Sequence, residues 1–93
     1  MKRDFKKIFK YYGEQNQLKK LEEELLELLL EVKYLLKIKA PLNDSLFSEM
    51  ADVYVLLSQF REAYRKKIDF FVRYKTKRQL WRIKKEQEGA KNA

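Results

Sequence analysis

Apolar residues recur three and four positions apart along most of this chain, the signature of helices with one buried face. Residues 4–12 predict a short first helix that Gly13 ends. A long second helix is predicted from residue 17 to about 39, where Leu18, Leu21, Leu25, Leu28, Val32 and Leu35 fill one arc at about 100° per residue. Pro41 breaks the chain, because its ring cannot continue a helix. Asn43, Asp44 and Ser45 are N-cap candidates for the next helix. This third helix runs from about 45 to 66 on Leu46, Met50, Val53, Leu57, Phe60 and Tyr64. A fourth runs from about 68 to 86, using Phe71, Tyr74, Arg78 and Trp81. Residues 1–88 read as one domain, and residues 89–93 as a disordered tail. The expected fold is all-α: a helical bundle built on two long antiparallel helices, with shorter N- and C-terminal helices.

The long helix carries more apolar surface than one stripe needs. Leu26, Leu29 and Leu30 lie outside the main arc, and a helix apolar on two sides is usually covered on two sides. The fourth helix wrapped over that face is one possible cover; the preferred one is another subunit, so the bundle is expected to be completed as a homodimer or homotetramer. Size points the same way. A 93-residue chain buries only about 60–65% of its unfolded surface. With no Cys there is no disulfide to staple it, and with neither His nor Cys a conventional zinc site is excluded. The same absence removes Ser-His-Asp and Cys-His catalysis. Two Gly and one Pro argue against a turn-rich all-β fold. No apolar run is long enough to span a membrane, and the first residues do not lead into a signal-peptide core, so the expected compartment is cytoplasmic.

The net charge of +8 invites anionic partners, but it is unevenly spread. Residues 21–31 hold five Glu and no base, whereas residues 61–85 hold eleven Lys/Arg against two acids. On the long helix, Glu24, Glu27 and Glu31 fall within about 60° of one another at 3.6 residues per turn. Like charges at i,i+4 weaken a helix. On the third helix, Glu49 falls inside the apolar arc and Asp52 lies one turn on, at its edge. A carboxylate on a buried stripe is costly unless it is paired or binds a metal. If the two helices run antiparallel, these four carboxylates face one another, although the spacings to the Pro41 connection leave the pairs short of level. Hard divalent cations such as Mg²⁺ take such oxygen sets. The plain alternative is that Glu24 and Glu27 form surface salt bridges with Lys20, Lys66 or Lys67.

Glu24-Leu25-Leu26-Glu27, a gap of 21 residues, then Glu49-Met50-Ala51-Asp52 reads as E-x-x-E … E-x-x-D. With its flanks, the chain resembles the MazG-like all-α nucleoside triphosphate pyrophosphohydrolases from about residue 12 to 83. Tyr12-Gly13-Glu14-Gln15-Asn16-Gln17-Leu18 looks like the entry to their metal helix, and Tyr74-Lys75-Thr76-Lys77-Arg78-Gln79-Leu80 is similar to their basic closing helix. Leu25 and Leu26 stand where small or polar residues are common in the family, and Tyr11 where a His is expected. The resemblance implies Mg²⁺-dependent cleavage of a ribo- or deoxyribonucleoside triphosphate to monophosphate and pyrophosphate, with Mn²⁺ as a second candidate ion. Glu24, Glu27, Glu49 and Asp52 would be the metal ligands, and Glu24 or Glu27 would take the proton from water. Lys75 and Arg78, three apart on one face, suit the β- and γ-phosphates, with a solvated basic face as the alternative. Asn16 suits a base edge, or else a helix cap near Gly13. Tyr74 and Trp81 suit base stacking, although core packing is the expected role. The rival function is a small basic nucleic-acid-binding protein without catalysis, because residues 73–85 interleave Lys/Arg with Tyr74 and Trp81.

Overall fold

The computed structural model describes residues 1–92, and these are helical apart from short joints. The helices are α1 (Lys2–Tyr12), α2 (Glu14–Ile38), α3 (Asp44–Ala63) and α4 (Arg65–Asn92). The chain forms two compact units, one of residues 1–63 and one beginning at Tyr64. The helix α4 continues through residues 89–92, where a tail was expected; Ala93 lies outside the described residues.

Local chemistry sets each joint in the first unit. Gly13 is the only residue between α1 and α2. Its N–H donates to the Phe9 carbonyl at 2.9 Å, and its own carbonyl accepts from the Gln17 N–H at 3.0 Å. It does so at φ 87° and ψ 153°, a region that is essentially glycine-only. A Cβ built there meets no atom within 4 Å, so any cost of substitution is backbone strain alone. Gly13→Ala should therefore lower stability by about 1–3 kcal/mol, read as a lower urea midpoint with an unchanged m-value.

The second joint closes α2 with Lys39 in the left-handed region, φ 54°. The Ala40 N–H donates to the Leu35 carbonyl at 3.2 Å, the six-to-one bond of a Schellman motif. Pro41 then prevents further helix. Of the three cap candidates, Asn43 acts: its Oδ1 accepts from the Leu46 N–H at 2.9 Å, satisfying an orphan donor of the first turn of α3.

The buried apolar side chains of the first unit are Leu35, Leu46, Val53 and Leu56. This corrects the predicted stripes. Leu18 and Leu25 are about half exposed, and on α3 the buried line runs Leu46, Val53, Leu56 and Gln59 rather than through Met50, Leu57 and Tyr64. Phe60 is partly buried; its ring meets Phe9 of α1 edge-on, with centroids 5.1 Å apart. The second unit is the helix α4, on which Phe70, Phe71, Tyr74, Leu80 and Trp81 are each more than half exposed. Tyr74 and Trp81 are thus not core residues, as had been expected: α4 presents aromatic groups on more than one side, and neither ring is enclosed.

Candidate metal centre

Between α2 and α3 the interior turns polar. Gln17 Nε2 donates to Gln59 Oε1 at 2.7 Å. Both residues are buried, Gln59 to 2% exposure. Seven residues beyond Gln17 on α2 is Glu24, and seven before Gln59 on α3 is Asp52.

Oxygens of Glu24, Glu49 and Asp52 lie within 4.8 Å of one another. Glu24 is 8% exposed, Glu49 is half-buried and Asp52 is exposed, so the cluster runs from the helix interface to solvent. Glu24 Oε1 accepts an ion pair from Lys20 Nζ at 3.2 Å. The salt bridge weighed as the alternative thus exists, but it serves one oxygen only. Glu24 Oε2 and Glu49 Oε2 are buried with no hydrogen-bond partner. Two such oxygens are costly unless a cation neutralises them. An all-carboxylate donor set suits Mg²⁺ or Mn²⁺. The residues present therefore fit a hard divalent ion.

Glu27 lies outside the three-residue cluster and is exposed, yet it feels the cluster. Its carboxyl is held above the ordinary value of 4.5, first by the negative charge of Glu24, then by desolvation and by Glu49, against the opposing pull of Lys20. The like charges of Glu24 and Glu49 stand beside it, and a further carboxyl ionises less readily there.

The cluster opens onto a cleft of about 490 Å³ whose lining includes Glu24 and Asp52 with Asn16, Lys20, Gln17 and Gln59. Asn16 thus stands at the cleft. Its Nδ2 donates to the Tyr12 carbonyl at 2.8 Å, which also makes it a cap for the end of α1. Lys75 and Arg78 lie on α4, in the second unit, and both are exposed; the Arg78 guanidinium stands 5.9 Å from the Tyr74 ring centroid. Gln17 and Gln59 were not anticipated as part of the site. Their signal was the seven-residue spacing to Glu24 and Asp52, which places each polar residue on its carboxylate's face two turns away. Neither models of known protein families nor curated proteins nor solved structures yield a match to this chain.

Proposed function

We propose that the chain is a Mg²⁺-dependent nucleoside triphosphate pyrophosphohydrolase of the MazG-like kind. The observation that carries the reading is the pair of buried, unpartnered oxygens on Glu24 and Glu49 beside Asp52, at the head of a cleft of ligand size. Glu24, Glu49 and Asp52 would hold the ion, with Glu27 at its margin. Bound Mg²⁺ supplies neutralisation of phosphate oxygens and a more acidic water. The chain's own residues do the rest. Glu27, beside the cluster, would accept a proton from the attacking water. Lys20, tied to Glu24 at the cleft, offers a cation to the phosphate chain. Asn16 presents an amide to the base.

A screen of ribo- and deoxyribonucleoside triphosphates with Mg²⁺ tests this. Pyrophosphate and monophosphate should appear together, with diphosphates poor substrates. Release of orthophosphate from the γ position would contradict the assignment.

The same reading takes α2 and α3 as the antiparallel pair of a bundle that a second copy completes. Leu26, Leu29 and Leu30 are each at least half exposed, and contiguous apolar surface of this kind marks an interaction site. Sedimentation at micromolar concentration should show at least a dimer, and Leu26→Lys/Leu29→Lys should shift it to monomer. A stable wild-type monomer would remove the proposed cover.

A further inference from the structure

The charge of this protein divides at the joint between its two units. Residues 65–92 contain eleven Lys/Arg and three acids, while the eleven bases and eleven acids of residues 1–64 cancel. The whole net charge of +8 therefore sits on α4.

The arrangement on that helix is regular. Phe70, Tyr74 and Trp81 are spaced i, i+4, i+11 and fall within about 40° of one another at 3.6 residues per turn. Lys66, Lys77 and Lys84 line one side of this stripe; Lys67, Arg78 and Lys85 line the other, with the same spacings of eleven and seven. All nine side chains are exposed. The cations lean on the rings: Arg78 lies 5.9 Å from the Tyr74 centroid and Lys85 lies 5.6 Å from that of Trp81. Ile68, Val72 and Ile83 fall on the opposite side, so the aromatic–basic face is not the only apolar surface the helix has for packing.

We propose that this face of α4 binds single-stranded nucleic acid. Flat exposed rings between two rows of cations match a strand that offers unpaired bases along its middle and phosphates at its edge. A duplex hides its base faces and would leave the rings unused. An anionic membrane takes a helix with one broad apolar face opposite a polar one, whereas here the aromatic stripe is only about 40° wide between two rows of bases, and Ile68, Val72 and Ile83 lie on the other side. The metal cluster takes no part in this binding.

Trp81 is the only tryptophan, so its fluorescence reports stacking directly. Full-length protein in EDTA, titrated with labelled oligothymidylate, should bind with Trp81 quenched. The slope of log K against log salt should be about −3 to −4, if most of the six flanking bases meet phosphates. Lys77→Gln/Lys84→Gln should flatten the slope by about 1.4. Trp81→Ala should weaken binding by about 5- to 150-fold. If that variant loses helix by circular dichroism, the exposed lysine pair alone decides. Equal affinity for a matched duplex with Trp81 unquenched would overturn the proposal. So would a blue shift on phosphatidylserine vesicles with no response to oligothymidylate, or an absence of binding at low salt.

Discussion

Glu49→Gln is expected to melt no lower than the wild type in chelator and clearly lower than it in Mg²⁺, and the proposed triphosphate hydrolysis should be lost with the ion. Without metal, Glu24, Glu49 and Asp52 crowd their oxygens within 4.8 Å, and like charges at that range oppose folding. The amide keeps the shape and removes one charge. The metal-free variant should therefore equal or exceed the wild type in stability. Ligand binding to the native state stabilises it by about 2.7 kcal/mol at a hundred times Kd, or about 10–20 °C for a domain this small. The wild type should gain that shift and the variant little of it. If Glu49 instead held a buried cation, the amide would cost about 3–5 kcal/mol with or without Mg²⁺. Melting curves in both conditions separate the cases. The pH dependence of the metal-free protein has a definite sign. The Glu27 carboxyl is raised in the fold, so the folded chain binds more protons than the unfolded one between the ordinary value and the raised one. Stability should fall as pH rises through that window and stay lower above it. Saturating Mg²⁺ should flatten this dependence, because the ion offsets the charges that raise Glu27.

The helices and the acidic cluster were legible in the sequence for different reasons. Period and punctuation give the helices: Gly13 and Pro41 are residues whose backbones force a joint, and both stand at one. The cluster was legible because carboxylates on buried faces break the pattern that stability alone would favour. What was not legible was rotation about each helix axis. With Leu56 and Leu57 adjacent, the apolar pattern allows either to face inward; Leu56 wins, because around the helix it lies between Val53 and the buried Gln59, whereas Leu57 lies on the far side of Leu46 from Gln59. The offset between α2 and α3 was also hidden. Glu24 and Glu27 lie 14 and 11 residues before the last residue of α2, while Glu49 and Asp52 lie 5 and 8 after the first residue of α3, so equal distance from the turn predicts no meeting. Tertiary pairing sets the offset, and its mark is the Gln17–Gln59 hydrogen bond.

That hydrogen bond carries the second large prediction. Either amide alone is a poor choice for a buried site, and two apolar residues of similar size would pack there without a polar penalty. Replacing one partner, as in Gln59→Leu, leaves the Gln17 amide buried and unpaired and should cost about 1–3 kcal/mol. Gln17→Leu should cost a similar amount. The double variant Gln17→Leu/Gln59→Leu should recover most or all of the loss, because no unsatisfied group remains. A buried polar pair of this kind fixes register rather than adding stability. Here the register matters, because Glu24 and Asp52 lie seven residues away along their helices and must arrive opposite each other. The double variant should thus remain folded and nearly as stable as the wild type in chelator, yet lose much of its Mg²⁺-dependent melting shift. Two outcomes would refute the register role. Additive losses in the double variant would mean that each glutamine is stabilised by something other than its partner. A full Mg²⁺ shift would mean that Leu46, Val53 and Leu56 align the carboxylates without help from the amides.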